Sequence, residues 1–391
     1  MPVLNRIAAL SEDMATWRRH IHRHPETGID CAGTAAYVAE RLREIGVDQI
    51  HEGIGQTGVV AIIEGQGTGP TVGLRADMDA LPIPEATGAD WASERPGLMH
   101  ACGHDGHTAM LLGAAAYLAE TRNFPGRVAL VFQPGEETGD GAARMIADGA
   151  ISRFGIDQIY AIHSAPGTPV GGFYTTPGPI MAAVDEFRVE IRGKGGHGAY
   201  PHHCIDPIPA ATAIAQAFQT IVSRNHDPLQ DLVVSVTQIH AGTTHNVIPD
   251  SAWLGGTVRT FLPQVQDMVR TRMEALVAGH AAAYGVEAVL DYAIGEPPTV
   301  NDEASTALAV EVARDLAGPE AVSADTGREM GAEDFAYFLR EVPGAFVFIG
   351  NGDTPGLHHP AYDFDDAAAP WGASFLARVA ETALRRGAER A

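Results

Sequence analysis

The first third of the chain alternates between two hydrophobic periods. Residues 3–22 place apolar side chains at three- and four-residue intervals, which predicts an amphipathic helix closed by His24-Pro25. Residues 34–45 predict a second helix, stopped by Gly46. Residues 57–63 and 71–76 predict strands. The continuous apolar run 128–132, bounded by Gly126 and Pro134, predicts a strand buried on both faces. Helices over 108–120 and 142–148 and a strand over 158–162 complete this stretch. Strands separated by helices predict a largely parallel sheet covered on both sides.

The pattern then changes. Residues 186–192 alternate like a half-exposed strand, and 207–222 form an alanine-rich helical run. Strands at 232–239 and 252–261, a long helix at 265–283 and a strand at 286–292 follow. That βαββαβ order predicts a ferredoxin-like sandwich, a four-stranded antiparallel sheet with two helices on one face. Pro177-Gly178-Pro179 and Glu296-Pro297-Pro298 punctuate its ends. Beyond them the earlier style resumes, with helices at 303–316 and 334–340, a strand at 346–349 and a terminal helix from about 366. The fold class is therefore α/β, a mostly parallel sheet covered by helices. Residues 1–181 and 296–391 form this domain, and residues 182–295 form an inserted second one. A length of 391 residues suits two cores better than one.

Composition removes several function classes. Lys and Arg number 26 against 49 Asp and Glu, a net charge of −23, which argues against a nucleic-acid partner. No apolar stretch approaches the ~20 residues of a membrane span, and no secretory signal follows Met1, so a cytoplasmic protein is expected. Cys31, Cys102 and Cys204 are scattered and imply no disulfide framework. Cys31 and Cys204 read as packing residues. Cys102 differs because of its neighbours.

Cys102-Gly-His104-Asp105-Gly-His107 brings a thiolate and imidazoles together, a set suited to a transition metal. Glu136-Glu137, His163 and His358 each follow a predicted strand or lie in a glycine-rich loop, and Asp77 and Asp79 follow the strand 71–76. In open α/β sheets such groups gather beyond the carboxyl ends of strands. Any one of them alone is an ordinary core or surface residue; their joint placement predicts a metal site. Adjacent glutamates in a loop can point apart, so one can ligate while the other takes a proton from an activated water. The spacing does not say which does which. Gly53-Ile54-Gly55-Gln56-Thr57-Gly58 has dinucleotide-loop spacing but precedes a strand, so that reading fails. No P-loop, H-E-x-x-H or G-x-S-x-G motif occurs. The loop Gly193–Gly198 could carry His197 to a substrate, and Asn246 and Arg259 could grip a carboxylate and a carbonyl.

Six segments carry a family resemblance: Gly73–Pro82, Met99–His107, Phe132–Glu137, Asn246–Pro249, Gly331–Phe335 and Leu357-His358. Together they resemble the amidohydrolase branch of the aminoacylase/carboxypeptidase-type dinuclear metallopeptidases, which includes hippurate hydrolases, N-acyl-L-amino acid amidohydrolases and auxin–amino acid conjugate hydrolases. The resemblance implies two divalent ions per subunit, zinc or manganese, with cobalt or nickel as alternatives. It implies Cys102, His104, Glu137, His163 and His358 as ligands, Glu136 as base and His197 as oxyanion stabiliser, commonly across a dimer. It implies substrate contacts from Asn246 and Arg259, and a lid through which a homodimer or higher oligomer forms. Relatives outside this branch have His-x-Asp where this chain has Asp77-Met78-Asp79. Asp77 thus does not inherit a ligand role, and Asp79 is read as orienting a ligand imidazole. The implied reaction is hydrolysis of a small N-acyl amino acid to a carboxylic acid and an amino acid. The alternatives are a metal-dependent dipeptidase or carboxypeptidase, and a non-catalytic metal-containing binding protein on the same fold.

Overall fold

A computed structural model describes residues 3–390. The chain divides into two compact units. One holds the chain up to Ile180, Thr299–Arg328 and the chain from Glu333 onward; the other holds Met181–Pro298 and Glu329–Ala332.

The first unit is built on a mixed eight-stranded sheet. Its strands run in the order Gln49–Ile54, Gly58–Glu64, Arg127–Gln133, Thr71–Asp77, Gln158–Ala165, Gly344–Gly350, Phe173–Tyr174, Val322–Ser323. The central four are mutually parallel. Thr71–Asp77 and Gly344–Gly350 are buried along their whole length, as expected where helices cover both faces of a parallel sheet. The sheet is less uniform than the pattern predicts, because Gln49–Ile54 and Gly58–Glu64 form an antiparallel hairpin at one side. Gln49–Ile54 escapes sequence reading because it carries Gln, His and Glu on an exposed edge and shows no apolar alternation.

The expected helix over 3–22 is two helices, Asn5–Ala8 and Ser11–Arg23. The N–H of Leu10 bonds the carbonyl of Ile7, a tightened turn that breaks the run. Helix His104–Thr121 is buried for most of its length, with Gly113, Ala114 and Ala115 inside. A Cβ on Gly113 would lie 2.3 Å from the sulfur of Met14, so glycine lets the Ser11–Arg23 helix approach closely. The terminal helix begins at Ala369, after a single turn at Asp366–Ala368 that Asp365 caps by accepting the N–H of Ala367.

The second unit is the ferredoxin-like sandwich. Its strands Leu232–Ala241, Ser251–Thr260, Ala183–Arg192 and Glu287–Ile294 are neighbours in that order, all antiparallel. Ala183–Arg192 alternates, turning Phe187, Val189 and Ile191 inward and Glu186, Arg188 and Glu190 outward. The inner face packs on Ile214 and Phe218 of helix Pro207–Thr220 and on Val269 and Met273 of helix Pro263–Tyr284. Asp206 caps the former by accepting the N–H of Ile208, with proline at the next position, where no donor is missed.

Candidate metal centre

Four elements of the first unit converge at the carboxyl ends of its parallel strands. Thr71–Asp77 delivers Asp77 and, just beyond, Asp79. Arg127–Gln133 leads through Pro134-Gly135 to Glu136 and Glu137. His163 lies within its strand, which runs on to Ala165 because His163 pairs with Phe348 of the neighbouring strand. The helix near 108 begins earlier, at His104. Gly103 precedes it in the left-handed region, φ +90°, and a Cβ there would lie 2.4 Å from Ser164 Oγ and 2.5 Å from the Tyr362 hydroxyl. Only glycine fits between Cys102 and His104. His358 also has positive φ, 63°, and its N–H donates to the carbonyl of Ala101 at 2.7 Å, tying its loop to the Cys102 segment.

The side chains meet in overlapping groups. Donor atoms of Cys102, His104 and His163 lie within 4.8 Å of one another, and so do those of Cys102, Glu137 and His358. The sulfur of Cys102 belongs to both groups. It is 3.5 Å from His163 Nε2, and Glu137 Oε1 is 3.4 Å from His358 Nε2. Donors sharing a tetrahedral ion at bond lengths of about 2.0–2.3 Å stand roughly 3.5 Å apart. His104 Nε2 and Glu137 Oε1 are buried without a well-formed hydrogen bond among the described residues, Glu137 Oε1 having only the His358 ring near it. Buried polar atoms without partners are costly, and a divalent ion would satisfy both. The residues present fit the dinuclear group that the resemblance implies.

Asp79 fixes this arrangement. Its carboxylate accepts the backbone N–H groups of Glu136 at 3.0 Å and Glu137 at 3.1 Å. Its backbone carbonyl accepts His104 Nδ1–H at 2.9 Å, which turns the other ring nitrogen inward.

The electrostatics separate the roles. Burial pushes the Glu136 carboxyl well above the ordinary range, and the nearby Glu333 adds to this. Such a carboxyl holds a proton more tightly and is a stronger base. Burial holds His163 in its neutral form, the one that ligates. Burial opposes charge on His104, but Asp77 and Cys102 outweigh it and raise its pKa. The surroundings therefore favour positive charge here, as a proton on the ring or a cation beside it.

Several residues gained no role from the sequence. Arg75, fully buried, donates to Gln133, Asp77, Glu333 and Asp334. Asp334 in turn accepts the Gln133 side chain and the N–H of Ala142, the start of a helix. Glu333 and Asp334 thus tie together the neighbouring strands that lead to Asp79 and Glu136. The signal available was an arginine inside an otherwise apolar strand. Another network joins His22, Asp105 and Arg18, all buried.

His197, Asn246 and Arg259 lie in the second unit. His197 sits on a short strand paired with Val247-Ile248. The N–H of Ala199 donates to His197 Nδ1 at 3.1 Å, so the ring proton sits on Nε2, which has no partner among the described residues. Asn246 is next to it, its carbonyl accepting the N–H of Gly198. Arg259 is half-buried on the strand Ser251–Thr260.

A helix-covered sheet whose carboxyl edge gathers a thiolate, imidazoles and a spare carboxylate defines a metallohydrolase. The chain belongs to the peptidase family M20/M25/M40, whose model matches residues 73–382. It is 43% identical to an N-acetyl-L-cysteine deacetylase of Bacillus subtilis, over 97% of this chain and 90% of that one. It is 37% identical to a hippurate hydrolase of Campylobacter jejuni, over 97% and 99% of the two chains. A crystal structure of a Bacillus subtilis protein, described as a dinuclear metal-binding peptidase of this family, superposes with a TM-score of 0.85. That comparison is at 36% identity over 96% and 99% of the chains.

Proposed function

We propose that this protein hydrolyses the amide bond of N-acyl amino acids, releasing a carboxylic acid and an amino acid. The observation that carries the reading is one sulfur, Cys102, shared by two ligand groups, with the raised carboxyl of Glu136 beside them. Cys102, His104, His163, Glu137 and His358 would hold two divalent ions. The thiolate favours zinc, while the carboxylate and imidazoles also accept manganese, cobalt or nickel. Bound there, the ions would polarise the scissile carbonyl and the attacking water.

Glu136 takes the proton of that water as it adds to the carbonyl carbon, then passes it to the departing nitrogen as the C–N bond breaks. Asp79 keeps Glu136 in place through its backbone N–H. We assign His197 to the developing oxyanion, supported by its free Nε2–H, and Asn246 and Arg259 to polar groups of the substrate. Residues 182–295 are read as a lid and dimerisation domain. A reducing cytoplasm suits the unpaired thiol.

The test is hydrolysis of a panel of N-acetyl- and N-benzoyl-amino acids by protein of known metal content. Turnover of these, with dipeptides bearing a free α-amine poor, supports the reading. Cleavage restricted to free-amine dipeptides would replace it with a dipeptidase. No turnover of either class by two-metal protein would leave a binding protein.

A further inference from the structure

We propose that His107 and Asp77 form a positioning pair for His163, acting through the backbone of Ser164. The proposal rests on the reading of His163 as a metal ligand.

In sequence His107 looks like a ligand, an imidazole three residues past His104. Its hydrogen bonds say otherwise. The backbone N–H of Ser164 can only donate, and it donates to His107 Nε2 at 2.9 Å. That nitrogen is the acceptor, so the ring proton sits on Nδ1, which donates to Asp77 Oδ1 at 2.7 Å. Neither nitrogen keeps a lone pair for a metal. The other Asp77 oxygen accepts Arg75 Nη1 at 2.8 Å, which holds the carboxylate against the His107 ring.

The far side of the same residue completes the chain. The carbonyl of Ser164 accepts His163 Nδ1–H at 2.9 Å, which fixes that ring's tautomer and turns Nε2 toward the Cys102 sulfur. Arg75, Asp77, His107, Ser164 and His163 are all buried, so each bond is held at low dielectric without competing water. The rings of His107 and His163 also meet edge-on, centroids 4.5 Å apart. A metal-ligating histidine normally leans on a carboxylate or carbonyl of its own. His163 leans on the Ser164 carbonyl, and Ser164 is itself held from its N–H by the His107–Asp77 pair.

The test uses the full-length protein with His107→Leu and His107→Gln. Gln can accept the Ser164 N–H through its amide oxygen yet ligates metal poorly. Binding of cobalt is titrated and followed by its thiolate charge-transfer absorption, with thermal melts as a folding control. The proposal expects wild type to bind two ions. It expects His107→Leu to bind one of them about 10–100-fold more weakly, with a shifted thiolate band. His107→Gln should stay within about threefold of wild type, a size that would be small beside such losses. Wild-type affinity for both ions in His107→Leu would overturn it. So would equal losses in both variants, which would mark His107 as a ligand or as mere packing. Should His107→Leu not fold, a tenfold or larger loss in His107→Gln overturns the proposal by itself. Wild-type protein that binds no divalent ion would instead defeat the metal reading beneath it.

Discussion

Arg75 Nη2 lies 2.9 Å from Glu333 Oε1, with essentially none of either side chain exposed. The same guanidinium reaches Asp77 and Asp334, so one cation faces three buried acids. Arg75→Met should cost about 3–5 kcal/mol by leaving those acids unpaired. Arg75→Lys should recover only part, because an ammonium lacks the planar fork. Urea unfolding measures both, and a Met variant within about 1 kcal/mol of wild type would refute this role.

Glu136→Gln should lower kcat by at least about a hundredfold, the usual worth of a positioned general base. Metal content, measured by elemental analysis, should stay at the wild-type level, because Glu137 and not Glu136 meets His358. Retained turnover would remove Glu136 from the mechanism.

Chelation should inactivate the protein, and zinc, manganese, cobalt or nickel should restore it. Loss should come in two phases. The His358 side chain is 52% exposed, whereas that of His104 is 0% exposed. The ion held with His358 should leave first, and His358→Ala should abolish the fast phase only. A single phase in the wild type would contradict this.

Gly103→Ala should disrupt the centre from inside. The backbone at φ +90° disfavours any Cβ, and two hydroxyl oxygens stand where it would go. Strain and overpacking together suggest a loss on the order of 3 kcal/mol. Melting temperature and metal stoichiometry should fall together.

Stability should depend on pH through His22. Burial lowers its pKa, but Asp105 more than compensates and raises it from 6.5 to about 9. The folded value exceeds the unfolded one, so this contribution is complete below pH 6.5 and fades as pH rises through 9. At about 1.4 kcal/mol per unit it is worth up to about 3 kcal/mol. His22→Gln should flatten the decline in unfolding free energy over that window; an unchanged slope would assign it elsewhere.

The strands nearest the centre were legible because their apolar runs are continuous and bounded by glycine and proline. Edge elements were not. Gln49–Ile54 is polar, and the break at Ala9-Leu10 leaves the helical period almost intact. At the centre, a motif can show which residue types are near one another but not which nitrogen bears a proton. His104 and His107 look alike in sequence. They part only because Asp79 and Ser164 bind opposite nitrogens of the two rings. Arg75 and Asp334, distant in sequence, become partners only once the sheet is assembled.

The double membership of Cys102 makes the centre a single point of failure. If Cys102 is shared by two cations as proposed, peroxide that converted this thiol to a sulfinate would disturb both at once. Its shield is seclusion, since 8% of the residue meets solvent and burial raises the thiol pKa. Resistance to oxidants should therefore track how firmly the cations are seated, and stripped protein should be the vulnerable state.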